Sequence, residues 1–242
     1  MSPDRSRPRL WHHDYLHLRP IARDLERRVG DVVVREPPRA VLDLGCGRSP
    51  YRRLFGDAAS YVRVDLDRLA APDMLARAEA LPFPDATFDH VLSTQLLQLT
   101  DDPAAMGAEV ARVMRPGGRA WVTLPAGWPY DAARPEHRFG PPDLPRLFTG
   151  MRIVEIVRHG GMLAMPSCVV NLIVRELVRA AERRAGAAAR VLRAPAALVY
   201  VLSNAAGRML EGLAARGPLA PLFGFLDARL PMNFLVIAER PR

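Results

Sequence analysis

Apolar residues in this chain follow two spacings, one suited to helices and one suited to buried strands. From Leu16 to Val34 they recur every three or four positions with Arg, Asp and Glu between them, which predicts an amphipathic helix that ends before Pro37. The stretch from Pro103 to Met114 has the same spacing and predicts a second helix. Short runs rich in Val, Leu and Ile predict six strands, at residues 40–44, 61–66, 88–93, 119–124, 152–157 and 233–239.

The order of these elements predicts the fold class. Strands that alternate with helical segments indicate βαβ units, and hence an α/β fold with a mostly parallel sheet covered by helices on both faces. About seventy residues separate the last two strands, far more than such a connection usually needs. Within that interval, residues 168–184 place apolar and charged side chains on separate stripes, so a helical insertion is expected before the last strand.

The predicted organisation therefore has three parts: an N-terminal cap helix over residues 1–37, a core over 38–160 and 231–242, and the insertion over 161–230. The formal net charge is +8, and the stretch from Pro166 to Leu230 holds nine arginines against four acidic residues, so most of the basic excess lies in the insertion. All 34 basic residues are arginine, which indicates a compositional bias and weakens charge as a sign of a polyanionic partner.

Cysteine usage and hydropathy suggest a compartment. Cys46 and Cys168 stand outside any C-x-x-C arrangement, which favours a reduced cytoplasm. The N-terminus has no continuous apolar segment typical of a secretory signal. No stretch of 18 uncharged apolar residues occurs, and the candidate at residues 194–207 has 14, so no membrane span is expected. The expected location is the cytoplasm. A peripheral contact with the inner face of the membrane is compatible with this location.

The stretch "VLDLGCGRSPYRRLF" at residues 41–55 is the strongest candidate for a binding loop. An apolar strand enters two glycines, and Pro50 then suits the first turn of a helix, whose free N–H groups would favour an anionic group. The dinucleotide pattern G-x-G-x-x-G requires a third glycine where this chain has Pro50. Asp43, just before the glycines, disfavours a pyrophosphate and favours an ammonium. A ligand with an amino-acid end, such as S-adenosylmethionine, would suit both features.

Asp65 provides a second part of this site. It ends the next predicted strand, 20 residues after Gly45, where a carboxylate can accept hydrogen bonds from ribose hydroxyls. Each residue also has a simpler interpretation: Asp43 as a salt-bridged strand end, Asp65 as a helix cap, and Cys46 as a packing residue instead of a nucleophile.

Four blocks carry a resemblance to a known family: "VLDLGCG", "YVRVDLD", "EALPFPDATFDHVLS" and "EVARVMRPGGRAWVTLP". In this order and spacing the chain resembles class I S-adenosylmethionine-dependent methyltransferases of the small-molecule, ubiquinone/menaquinone type, over about residues 38–126. The resemblance implies a Rossmann-like, doubly wound sheet of seven strands and S-adenosylmethionine as cofactor. No metal site is implied.

The resemblance also implies where the cofactor would lie. Asp43, Gly45, Cys46 and Gly47 would surround the methionyl part, Asp65 and Leu66 the ribose, Ala78 and Glu79 the adenine, and Ser93 and Gln95 the floor beneath the sulfonium. Two positions depart from the family. Arg77 stands where an Asp often contacts the adenine amino group, and Ser49 stands where a third loop glycine is common. The alternative interpretation of Glu79 is that its side chain only faces solvent and does not contact the adenine.

Methyl transfer from a sulfonium is an in-line displacement, so the protein mainly orients the acceptor and excludes water. A hydroxyl acceptor would benefit from a general base, and His137 and His13 are the candidates. An ordinary surface or hydrogen-bonded histidine is the alternative for both. Tyr15, Tyr130 and Asp131 are further candidates for substrate contacts.

The acceptor class is narrowed mainly by exclusion. The sequence "STQLLQL" at the end of the third predicted strand differs from the D/N-P-P-Y type with which amino methyltransferases hold a flipped base. No Pro-Cys nucleophile for cytosine is present either, so a nucleic-acid acceptor has little support. We therefore predict methyl transfer to a small-molecule or lipid-linked acceptor, at O with C or N left open. The alternatives are a non-catalytic binding module and an NAD(P)-dependent oxidoreductase.

The predicted insertion has three interpretations. It could form a lid over the acceptor, pack against a second subunit, or rest on an anionic membrane through residues 166–230. The chain would accordingly be a monomer or a homodimer.

Overall fold

The protein is described by a computed structural model that covers residues 4–56, 58–127, 136–161, 163–218 and 220–242, with the side chains of residues 227 and 228 outside the description. Tyr130 and Asp131, two of the candidate substrate contacts, lie outside the described residues.

A seven-stranded sheet organises the chain in the order β3-β2-β1-β4-β5-β7-β6. Neighbouring strands from β3 through β5 run parallel, and β7 runs antiparallel to β5. The strands are β1 Ala40–Leu44, β2 Ser60–Asp65, β3 Met74–Leu75, β4 Phe88–Thr94, β5 Met114–Pro125, β6 Arg152–His159 and β7 Asn233–Glu239. The predicted α/β class with a mostly parallel sheet is confirmed.

Six α-helices accompany the sheet within the described residues. They are α1 Tyr15–Val33, α2 Pro103–Val113, α3 Leu144–Leu147, α4 Met165–Ala185, α5 Arg193–Arg216 and α6 Ala220–Arg229. α1 and α2 match their predicted bounds to within one residue. The start of α2 is fixed by Asp102, whose carboxylate accepts hydrogen bonds from the N–H groups of Ala104 and Ala105 at 3.0 Å each.

The prediction of a helix that begins at Pro50 is wrong. The chain makes a single 3₁₀ turn at Arg52–Phe55, and Gly56 ends it with a φ of +53°. Only Tyr51 and Phe55 are buried here, so the segment has one apolar pair instead of the repeating apolar stripe that a longer helix needs. The argument for an anion at a helix N-terminus therefore does not apply to this loop.

The chain divides into two compact units. One consists of residues 23–157 and 233–242, and the other of the segment up to Ala22 together with 158–232. The expected N-terminal segment 1–37 is thus shared between the two units. In the first unit the core is built from apolar side chains of the central strands and of α2, with Leu42, Val91 and Val122 among its fully buried members.

In the second unit, α4 and α5 form an antiparallel pair joined by a 3₁₀ turn at Gly186–Leu192. The side-chain amide of Asn171 donates to that of Asn204 at 2.8 Å. Asn204 in turn donates to the carbonyls of Leu10 and His12, at 2.7 and 2.9 Å, which ties the N-terminal segment to the helical pair. The expected helical insertion is therefore present as α4, α5 and α6.

The helical stretch Met165–Arg216 is long and apolar enough, by length and composition, to cross a membrane. Only 11% of its most apolar 18-residue segment is buried. This finding runs against the expectation that no segment could span one. The stretch is, however, two antiparallel arms with a turn between them instead of one straight helix.

Candidate cofactor site

The candidate site lies where β1 has β2 on one side and β4 on the other. The connection after β1 leads to β2 on one side, whereas the connection after β4 leads to β5 on the other side, and in doubly wound sheets ligands bind in the crevice at the carboxyl ends of such strands. A cleft of about 110 Å³ opens there. Five predicted cofactor residues line it: Gly45, Asp65, Leu66, Ala78 and Glu79.

Gly45 is required by the loop for two physical reasons. Its φ is +69°, in the left-handed region that favours glycine, and a Cβ there would lie 2.8 Å from a methyl group of Leu96. Its N–H donates to the carbonyl of Val64 at 2.8 Å, which holds the loop against β2. The missing Cβ thus makes room for Leu96.

Ser49 occupies a strained backbone position. Its φ is +49°, which is uncommon for a residue with a side chain. This explains why a glycine is common at the corresponding position of the family that the loop resembles.

Asp65 is held in place by the backbone on both sides. Its Oδ2 accepts the N–H of Gly47 at 2.8 Å, and its Oδ1 accepts the N–H of Asp67 at 2.9 Å. Each carboxylate oxygen retains a second lone pair, so two acceptors remain for the hydroxyls of a ribose. The nearby 3₁₀ turn is capped by Asp67, which accepts from Leu69, so Asp65 is not needed as a helix cap.

Asp43 is a buried carboxylate without a cation. Its side chain accepts a hydrogen bond from the Tyr61 hydroxyl at 2.8 Å, and Arg63 pairs with Asp73 instead. Burial raises the pKa of Asp43 to about 6, an effect that the bond from Tyr61 partly offsets. Among the described residues Asp43 has no ion-pair partner, so an ammonium group of a ligand would compensate its charge.

Cys46 is 3% exposed and its thiol is not activated. Burial, together with the charges of Asp43 and Asp65, raises the pKa of Cys46 to about 12. The thiol therefore stays protonated near neutral pH, in agreement with its interpretation as a packing residue.

Glu79 and Arg77 form one wall of the cleft together with Asp101. The Glu79 carboxylate accepts the N–H of Asp101 at 2.9 Å, and the Arg77 guanidinium donates to the carboxylates of both Glu79 and Asp101. The Glu79 side chain is 13% exposed, so it does not simply face solvent. Asp101 was not predicted from the sequence, although it follows β4 at the same edge of the sheet as the loop.

Ser93 and Gln95 lie at the carboxyl end of β4 but outside the wall of the cleft. Ser93 pairs with Leu44 in the register of β1 and β4 and is fully buried. Its hydroxyl has no hydrogen-bond partner within the described part of the chain. Gln95 has a φ of +57°, and its N–H donates to the carbonyl of Thr123 at 2.8 Å.

The two histidines proposed as bases have different surroundings. The N–H of His137 donates to the carbonyl of Gln98 at 2.8 Å, and its exposed ring stacks on Phe139, so it lies beside the loop after β4. His13 belongs to the other compact unit. There Arg175 approaches its Nε2 at 3.3 Å, and burial lowers its pKa. A guanidinium can only donate, so this nitrogen accepts and its lone pair is engaged.

No cluster of three or more His, Cys, Asp or Glu side chains is arranged to hold a metal ion within the described ranges.

Comparison with known proteins agrees with this geometry. A family described as "Methyltransferase domain" matches residues 42–122. The chain is 34% identical over 114 residues to malonyl-[acyl-carrier protein] O-methyltransferase of Hahella chejuensis, covering 39% of this chain and 41% of that protein. It is 36% identical over 105 residues to the ubiquinone/menaquinone biosynthesis C-methyltransferase UbiE of Burkholderia mallei, covering 36% and 43%. The chain thus spans less than half the length of these two relatives.

Solved structures support the fold. The [4+2]-cyclase SpnF has a TM-score of 0.59 at 19% identity, over 93% of this chain and 82% of that one. An S-adenosylmethionine-dependent methyltransferase from Mesorhizobium loti has a TM-score of 0.52 at 17% identity, over 95% and 98%. Residues 42–122 therefore match a methyltransferase domain, the sheet topology agrees with that match, and S-adenosylmethionine is the cofactor that this similarity implies.

Proposed function

We propose that this protein transfers the methyl group of S-adenosylmethionine to an oxygen of a small or lipid-linked acceptor in the cytoplasm. The observation that carries the proposal is the pair of carboxylates at the carboxyl ends of β1 and β2. Asp43 is buried and has no ion-pair partner among the described residues, and each oxygen of Asp65 accepts one backbone hydrogen bond and keeps a second lone pair. Together they suit a ligand that has an ammonium group at one end and a ribose in its middle.

Different residues of the site would bind different parts of the cofactor. Asp43 would pair with the ammonium group, Asp65 would accept the ribose hydroxyls, and the wall formed by Glu79, Arg77 and Asp101 would border the adenine. When bound, the cofactor supplies a methyl group already activated by the sulfonium charge. The protein then has to orient the acceptor and keep water out, which requires no covalent intermediate.

An oxygen acceptor is favoured by His137. Its ring is exposed beside the loop that follows β4, and a histidine near an acceptor hydroxyl can take up the proton that is released. The relative from Hahella chejuensis, named as an O-methyltransferase, supports the same acceptor atom.

A second candidate is a protein of this fold that binds the cofactor but does not transfer its methyl group. Arg77 favours it, because a guanidinium cannot accept a hydrogen bond from the adenine amino group. The similarity to a structure described as a [4+2]-cyclase also indicates that this fold serves reactions other than methyl transfer. The oxidoreductase alternative has no comparable support, since Pro50 and Asp43 both disfavour a dinucleotide.

The test is transfer of a radiolabelled methyl group from S-adenosylmethionine to hydroxylated small molecules and to a bacterial lipid extract. We expect label in a product whose methyl group is bound to oxygen. Asp65→Asn should reduce transfer sharply, whereas Asp67→Asn, two residues away, should retain it because Asn can still cap the 3₁₀ turn. Cofactor binding without label in any acceptor fraction would favour the second candidate.

A further inference from the structure

The compact unit that contains α4 and α5 carries an apolar face that no other described residue covers. On α5 the exposed fractions are 60% for Leu198, 63% for Leu202, 60% for Met209 and 62% for Leu213. On α4, Val169, Ile173 and Leu177 are exposed in the same way. Contiguous exposed apolar surface is uncommon in soluble monomers and marks an interaction site.

Helical spacing places these side chains on one outward stripe of each arm. Residues 198, 202, 209 and 213 share one side of α5, and 169, 173 and 177 share one side of α4. The opposite side of α5 carries Asn204 and Gly207, which are buried. A Cβ on Gly207 would lie 2.7 Å from Leu16, so the N-terminal segment already occupies that inner side. The stripes are therefore the free, outer side of the pair.

Basic residues border this apolar surface. The arginines Arg183, Arg184 and Arg190 lie at or next to the turn between the arms, and none of them forms an ion pair with another described residue. Arg216 ends α5 on the same side as Leu202. From Met165 to Arg216 there are eight arginines and three glutamates. The surface thus combines an apolar centre with a positive margin.

We propose that this surface docks in the plane of an anionic membrane. An amphipathic helix with apolar side chains on one face and arginines at its margin suits the boundary between acyl chains and negatively charged headgroups. The basic turn argues against a hairpin that crosses the bilayer, because the unpaired arginines would enter the hydrocarbon. It also argues against a second copy of the chain, because two such surfaces would bring like charges together.

An apolar cavity adjoins the surface and fits the same occupant. It has a volume of about 280 Å³, and its wall includes Leu210 and Leu213 of α5 and Phe223 of α6. Leu213 belongs to both the cavity and the outer stripe. An acyl chain that leaves the membrane plane could enter the cavity without any charged group being buried.

Co-sedimentation of the full chain with vesicles tests the proposal. One set of vesicles contains phosphatidylcholine alone, and the other contains three parts phosphatidylcholine to one part phosphatidylglycerol. We expect binding to the anionic vesicles and much weaker binding to the neutral ones. The Leu198→Gln/Leu202→Gln variant should bind about tenfold more weakly for each leucine replaced. The Arg183→Gln/Arg184→Gln/Arg190→Gln variant should lose about fivefold for each arginine.

Matched controls use apolar residues of the other compact unit that are at least as exposed as Leu198 and Leu202. Leu69 is 90% exposed and Val34 is 83% exposed, so Leu69→Gln/Val34→Gln changes a similar apolar area and should leave binding unchanged. Equal loss in this control would overturn the proposal. Failure to bind either kind of vesicle would also overturn the proposal. A dimer in light scattering that Leu198→Gln/Leu202→Gln converts to a monomer would then identify a second copy of the chain as the partner of this surface. The measurement uses no cofactor, so its failure would leave the proposed methyl transfer standing.

Discussion

Protonation of Asp43 should control cofactor affinity near pH 6. Burial is the main cause that raises the pKa of this carboxyl group from 3.8 to about 6 in the free protein. Because the folded pKa is raised, the neutral form is favoured in the fold, and the ionised form is the costly one. The protein therefore loses stability as pH rises from about 4 to about 6, and a shift of about two units corresponds to roughly 3 kcal/mol.

A ligand ammonium group beside Asp43 reverses this cost. It stabilises the ionised carboxylate and lowers its pKa, so binding is linked to loss of the proton. Affinity should accordingly increase as pH rises through about 6 and level off above it. Below that point each unit of pH should weaken binding by about tenfold, as long as the complex keeps Asp43 ionised.

Calorimetric titration with S-adenosylhomocysteine between about pH 5 and pH 8 measures this dependence. At about pH 6 the titration should also release protons, which is detected by repeating it in buffers of different ionisation enthalpy. Asp43→Asn should bind weakly at every pH and release none. Tyr61→Phe removes the hydroxyl that stabilises the ionised form, so its midpoint should move to higher pH.

This role of Asp43 would be refuted by an affinity that is constant from about pH 5 to about pH 7 in the native chain. It would also be refuted if Asp43→Asn retained full affinity. Circular dichroism at the lowest pH separates loss of binding from loss of the fold.

Three further predictions concern other parts of the molecule. Gly45→Ala should lower the free energy of unfolding by roughly 1–3 kcal/mol in thermal denaturation, because its φ of +69° and its contact with Leu96 both penalise a Cβ, and Leu96→Ala in the same chain should restore part of the loss. Asn204→Ala should destabilise the protein by roughly 1–3 kcal/mol in denaturant unfolding, since two backbone carbonyls and one amide lose their partner. His137→Gln should slow methyl transfer by about 10²-fold or more at unchanged cofactor affinity, whereas His13→Gln should not, because Arg175 already engages its ring; equal rates in both variants would remove His137 from the reaction.

The sequence was a good guide to the fold where burial leaves a continuous apolar run. β1 and β7 begin and end at the predicted residues, because both are buried along nearly their whole length. β3 escaped prediction because two residues are too few to form a pattern. The helix predicted after the glycine loop does not form for a related reason. Pro50 suits the first position of a helix, but the residues that follow it carry no apolar stripe.

The positions of Asp43 and Asp65 near the carboxyl ends of β1 and β2 could be predicted from the sequence, because each follows or ends a short apolar run. Tyr61 and Asp101 were missed because their roles depend on which strands become neighbours. Tyr61 reaches Asp43 only because β2 lies beside β1, and Asp101 meets Arg77 across 24 positions of sequence. The contacts of the N-terminal segment with α4 and α5 are of the same kind, because they join residues about 160 to 190 positions apart.

The proposed function of this protein depends most directly on the identity of its cofactor. Isothermal titration of the native chain with S-adenosylhomocysteine and, separately, with NADH decides it. We predict saturable binding of S-adenosylhomocysteine that Asp65→Asn weakens and Asp67→Asn preserves, with no binding of NADH. Binding of NADH without binding of S-adenosylhomocysteine would contradict the proposed function.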